Sequence, residues 1–117
     1  MQYLFLLYAN EGGWSKLTPA QQEQGAAAYN AYTQALRKEG VLQGSNRLQP
    51  IDAATTVRTV DGKSQVLDGP YADTKEQLGG YFVIDVPDLE TALHWAGQCP
   101  TSATGTVEVR AHLKPRS

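Results

Sequence analysis

Tyr3-Leu4-Phe5-Leu6-Leu7-Tyr8 is apolar at every position. The run is too short for an independent helix and reads as a strand covered on both faces. Gly79-Gly80-Tyr81-Phe82-Val83-Ile84-Asp85-Val86 has nearly the same character, so the two strands belong side by side at the centre of a sheet. Between the first run and the next apolar stretch lies a helix start. Thr18 can cap orphan N–H groups, Pro19 suits the first helical position, and Gln21 can complete a capping box. This helix is expected to reach Glu39 and stop at Gly40, with Ala28, Tyr29, Tyr32, Ala35 and Leu36 on its packing face.

Working outward, Val41-Leu42 opens a short extended segment that ends near Leu48-Gln49-Pro50, with a bend or bulge at Gly44. Thr55 to Val60 and Lys63 to Leu67 flank Asp61-Gly62, a pair that supplies the positive φ a tight hairpin turn needs. Asp68 to Gln77 is a polar loop with room for a helical turn. Asp88 caps a second helix with Leu89, Ala92, Leu93 and Ala96 on the buried stripe, ending before Pro100. From Thr106 to Leu113 apolar and polar residues alternate, the period of a half-buried strand.

These elements form one domain over residues 1–117. The expected fold is α+β, a ferredoxin-like βαββαβ with an extra hairpin. Two helices cover only one face of such a sheet, yet both central strands present apolar side chains to both faces. A second copy of the chain, sheet against sheet, is the expected cover, because monomers rarely expose so large an apolar patch.

The 117 residues carry ten Lys+Arg and twelve Asp+Glu, and no block of like charge. That leaves no electrostatic footprint for a phosphate backbone, and nucleic acid is not an expected partner. A lone Cys99 cannot form an internal disulfide. No Lys or Arg precedes the first apolar run, and no stretch approaches the roughly 20 apolar residues that span a bilayer. A soluble, cytoplasmic protein without membrane partners is expected. G-x-S-x-G, G-x-G-x-x-G and Walker sequences are absent, which argues against nucleophile-elbow hydrolases, dinucleotide folds and P-loop sites.

The densest polar cluster is Asp68-Gly69-Pro70-Tyr71-Ala72-Asp73-Thr74-Lys75-Glu76. Together with Arg58, its carboxylates and Lys75 can surround a small polar ligand, or only pair with one another as surface loops commonly do. Arg58, Asp68, Tyr71, Lys75 and Glu76 are the candidate ligand-binding residues, and Asp68 is the candidate catalytic acid or base. Trp14, Tyr29, Tyr32 and Trp95 can line a pocket between helix and sheet, or fill the core. His94 and His112 with Glu108 show no metal-site spacing. Cys99 reads as a buried thiol. No metal or cofactor is expected.

The segment Asp68 to Tyr81, with Ile84-Asp85-Val86-Pro87-Asp88 and Ala92-Leu93-His94-Trp95-Ala96, resembles the YCII-related family in its DGPF-type branch. Met1 to Tyr8, Gly40-Val41-Leu42, Thr56-Val57-Arg58 and Val107 to Arg110 extend the resemblance over nearly the whole chain. Tyr71 stands where the branch has Phe. The resemblance implies a dimeric α/β barrel, and for some members a gene-context link to extracytoplasmic-function sigma factors. The His and Asp pair implied for YCII relatives does not carry over: residues 19–39 contain no His and residues 41–48 no Asp. Two functions follow as expectations. One is a homodimeric module that binds a small polar or cyclic ligand in a regulatory or accessory role. The other is a cofactor-independent isomerase, lyase or oxygenase, with Arg58 and Lys75 holding an anionic group and Tyr71 orienting the substrate.

Overall fold

A computed structural model describes residues 1–114. Among these, strands β1 (Gln2–Ala9), β2 (Leu42–Arg47), β5 (Gln77–Asp85) and β6 (Thr106–Ala111) form one antiparallel sheet in the order β2-β5-β1-β6. Strands β3 (Thr55–Val60) and β4 (Lys63–Asp68) pair only with each other. Helices α2 (Pro19–Lys38) and α3 (Leu89–Gln98) make the two crossovers, and short helices α1 (Glu11–Ser15) and α4 (Thr101–Thr104) flank them. This is the ferredoxin-like α+β arrangement with an added hairpin.

The local signals act as their chemistry requires. The Thr18 side chain accepts from Gln21 N, and the Gln21 side chain accepts from Thr18 N, closing the capping box. At the other end of α2, Gly40 takes φ +72°, Gly40 N donates to Arg37 O, and Val41 N donates to Leu36 O, so the last carbonyls are satisfied. Asp61 (φ 51°) and Gly62 (φ 77°) make the hairpin turn with both central residues left-handed. Asp88 caps α3 through Thr91 N at 2.8 Å. The irregular pairing of β2 with β5 falls between Leu42 and Gly44, the expected bend.

The core lies between the helices and one face of the sheet. Tyr3, Phe5 and Leu7 of β1 and Phe82 and Ile84 of β5 meet Tyr32, Leu36, Ala92, Ala96 and Cys99 there. The helix stripes differ from the sequence expectation. On α2, Ala28 and Ala35 are exposed, whereas Thr33 and Gln22 are half-buried. On α3, Leu89 and Leu93 are each 52% exposed. Ala92, Trp95, Ala96 and Cys99 form an equally regular helical stripe rotated from the expected one, and it brings the larger Trp95 ring to the core. Residues 11–15 are helical because Asn10 accepts from Gly12 N and caps the turn. The loop after Asp68 holds no helical turn, and β5 begins at Gln77 rather than Gly79. Strand β6 ends at Ala111, opposite Tyr3, and leaves Leu113 exposed beyond its last partner.

On the reverse face, Leu4, Leu6, Tyr81 and Val83 are half-buried and take no part in the core cluster. A Glu108–Arg110 ion pair (3.2 Å) and an Asn46–Tyr81 hydrogen bond (2.8 Å) flank them. The β3–β4 arm leaves Val57 and Val66 62% and 64% exposed. The radius of gyration is 16.4 Å, against about 13 Å for a compact domain of this length.

Candidate functional site

An open cleft of about 450 Å³ lies between α1, the first half of α2 and the sheet. Small residues line it. Gly80 occupies a central strand, where a Cβ would press on Asn46 O at 3.0 Å, so the glycine permits the close approach of the neighbouring strand. Ala26 and Ala9 line other walls. On α2, a Cβ at Gly25 would sit 3.0 Å from the Trp14 ring, so the glycine lets that ring lie against the helix.

Helix α1 is anchored as a platform for Trp14. Glu11 N donates to Gln77 Oε1 (3.0 Å), Ile51 N donates to a Glu11 carboxylate oxygen (2.9 Å), and Gln22 Nε2 donates to Trp14 O (3.0 Å). The Arg47 guanidinium stands 5.3 Å over the Trp14 ring centre, a cation–π contact. The hydroxyls of Tyr29 and Thr101, also in the lining, share a hydrogen bond. Burial pushes the Tyr29 phenol above its ordinary range, and the bond to Thr101 offsets this only in part, so it remains protonated at neutral pH. The cleft thus combines apolar walls, a protonated phenol and a guanidinium, a lining suited to a small ring with polar substituents.

Of the four aromatic residues singled out in the sequence, Trp14 and Tyr29 line this cleft and Tyr32 and Trp95 belong to the packed interior. Tyr32 meets Phe82 edge-on at 5.2 Å, and its hydroxyl donates to Trp95 O at 2.8 Å. Cys99 is buried, and burial pushes its thiol up despite hydrogen bonds involving the Thr101 backbone and side chain. His94 pairs with Gln98 and His112 with Gln2.

The five candidate residues occupy the arm and the loop after it. Arg58 lies in the middle of β3 opposite Gln65, and Asp68 ends β4 opposite Thr55. Both are exposed, as is Lys75. Glu76 is half-buried and accepts from the Thr106 hydroxyl at 2.6 Å. Tyr71, 81% exposed, lines a second cavity of about 530 Å³ beside Tyr8, Pro50, Pro70 and Leu78. Among the described residues no ion pair joins Arg58 or Lys75 to Asp68, Asp73 or Glu76. Arg58, Asp68, Lys75 and Glu76 line neither cavity. Sequence reading passes over Arg47, Glu11 and Thr101. The available signal was Gly79-Gly80 inside an apolar strand, since strand glycines mark a close backbone approach or an open space.

The chain belongs to the YCII-related domain family, which it matches over residues 1–114. It is 36% identical over 112 residues to an uncharacterized protein of Rhizobium meliloti (strain 1021), covering 94% of this chain and 90% of that relative. Among solved structures it is similar to 5-chloro-2-hydroxyhydroquinone dehydrochlorinase from Burkholderia phenoliruptrix, in complex with 2,5-dihydroxybenzoquinone. The TM-score is 0.59 at 13% identity, over 98% of this chain and 96% of that one. At that identity the likeness shows a shared fold.

Proposed function

We propose that this protein binds a small cyclic ligand in the cleft between α2 and the sheet, acting as a homodimer in a regulatory or accessory role. The observation that carries the reading is the cleft itself, lined by Gly80 and Ala26 together with the Trp14 and Tyr29 rings. The similar dehydrochlorinase, seen with a quinone bound, is compatible with a ring-sized ligand. Calorimetric titration with 2,5-dihydroxybenzoquinone tests it. Binding is expected for the native chain and for Ala27→Phe, whose position lies outside the cleft lining, and a loss of at least about tenfold for Ala26→Phe, which fills the cleft. Equal binding by both variants contradicts the reading.

The homodimer rests on two unpartnered apolar surfaces, the Leu4–Leu6–Tyr81–Val83 patch and the β3–β4 arm. A two-stranded ribbon is marginal alone in water, and pairing sheet to sheet into an α/β barrel would cover the patch. Docking of the arm on a second copy would also carry Arg58 and Asp68 against that copy's surface, which is the ligand-facing role we propose for them with Tyr71, Lys75 and Glu76. Sedimentation velocity at micromolar concentration is expected to give a dimer, and Val83→Glu a monomer. A monomeric native chain refutes the pairing. We place the chain in the DGPF-type branch on its Asp68-Gly69-Pro70-Tyr71 segment.

A second reading, a cofactor-independent enzyme, is favoured by one observation: the protonated Tyr29 phenol facing the cleft can hand a proton to a ring oxygen. Incubation with 5-chloro-2-hydroxyhydroquinone tests it, with chloride release expected from the native chain and lost in Tyr29→Phe. Chloride at the buffer rate retires this reading and leaves binding intact.

A further inference from the structure

We infer that the cleft selects a planar ring bearing a carboxylate, and that Arg47 is the residue that reads the charge. This deepens the proposed ligand site and rests on it.

Arg47 ends β2 in register with Gly80, so no side chain from the neighbouring strand competes for the space beside it. Its guanidinium has no carboxylate partner: among the described residues the ion pairs are Met1 with Asp85 and Arg110 with Glu108. Glu11, the one acidic residue lining the cleft, already holds Ile51 N with a carboxylate oxygen. The Glu11 carboxylate keeps its charge but forms no ion pair with Arg47, so the guanidinium's donors stay open to a ligand beside apolar walls.

The cation is also oriented. Gly25 leaves the Trp14 ring room to lie against α2, and the ring in turn supports the guanidinium at 5.3 Å. A guanidinium held over a ring by cation–π attraction keeps donors for a planar acceptor, and a carboxylate matches its fork with two parallel hydrogen bonds. Side-chain freedom that an exposed arginine normally loses on binding is already restricted by the cation–π contact. Elsewhere in the lining Tyr29 and Thr101 offer hydroxyls but no charge, and Leu7, Ala26 and Phe82 offer apolar contact for a ring. A guanidinium, neutral hydroxyls and apolar walls in one cleft favour a ring acid over an uncharged ring or a cation.

NMR titration of the full chain with benzoate and with its neutral isostere benzamide tests this, following the Trp14 indole N–H. The native chain is expected to saturate with benzoate at about tenfold lower concentration than with benzamide, the effect of one charge-assisted pair. Arg47→Gln should weaken benzoate to the level of benzamide while leaving benzamide unchanged, and Arg47→Lys, which keeps the charge without the fork, should retain part of the preference. Equal saturation in the native chain, or a preference that survives Arg47→Gln, overturns the inference and leaves the cleft as a site for neutral rings. A Trp14 resonance that saturates with neither probe overturns the cleft reading and this inference together.

Discussion

The two halves of helix α2 lie over the same sheet and finish differently. At the C-terminal half, Tyr32 and Leu36 are buried, and α3 brings Trp95, Ala92 and Ala96 down beside them. At the N-terminal half, Gly25 takes the Trp14 ring against the helix, Ala26 and Gly80 line a cleft, and about 450 Å³ stays open. Tyr29, next to the cleft, and Tyr32, in the core, both have phenols that burial holds in the protonated form. What separates core from cleft is side-chain volume, not polarity: where large rings meet, the layers close, and where glycine and alanine meet, they part.

The closed half should therefore answer to stability and the open half to binding. Leu36 is fully buried, and Leu36→Ala is expected to cost about 2–5 kcal/mol through lost burial and a residual cavity. Urea unfolding measures it, and a loss under about 1 kcal/mol would mean the site collapses and the closed half is not close-packed.

The paired tyrosines sharpen the contrast. In the last turn of α3, Cys99 N donates to Ala96 O, and the Trp95 carbonyl takes the Tyr32 hydroxyl instead. Tyr32→Phe leaves that carbonyl without its partner and is expected to cost about 1–3 kcal/mol. Tyr29→Phe breaks a bond beside an open cleft, where water can replace it, at about 0.5–1.5 kcal/mol. Equal costs would break the distinction between core and cleft.

Gly25→Ala sets two effects of opposite sign against each other. Alanine favours the helix by up to about 1 kcal/mol, while the new methyl presses on the Trp14 ring at 3.0 Å. Stability is expected to change by less than about 1 kcal/mol, while benzoate affinity falls severalfold because the platform under Arg47 shifts. Unchanged affinity would remove Trp14 from the positioning of Arg47.

The smallest effect is in the pH dependence. Burial raises the folded-state values of Tyr32, Tyr29 and Cys99. The unfolded chain thus releases those protons first, and the stability they add is complete below the ordinary cysteine and tyrosine ranges and lost as pH climbs through the raised values. Tyr32→Phe should flatten the alkaline limb of stability against pH more than Tyr29→Phe, because the Tyr32 shift is the larger. An unchanged limb in both contradicts the assignment.

The elements written in local chemistry were legible in the sequence. The Thr18-Pro19-Ala20-Gln21 start, the Gly40 stop, the Asp61-Gly62 turn and the Asp88 cap each depend on residues within a few positions of one another. The exposed side of α3 was not, because its apolar residues support two stripes at helical spacing and only packing against the sheet chooses the one through Trp95. The candidate cluster was chosen for density along the chain. The extended arm instead places Arg58 and Asp68 outside both cavities, and the cleft assembles Trp14, Gly25, Arg47, Gly80 and Thr101 from five separate stretches. An opening made of absent side chains leaves little trace in a list of reactive ones.

Mapping amide and indole shifts during a titration with 2,5-dihydroxybenzoquinone addresses the cleft directly. Saturable changes at the Trp14 indole and the Gly80 amide, with the Trp95 indole unmoved, are the expected result. Changes centred on Trp95, or spread over the surface without saturation, would contradict it.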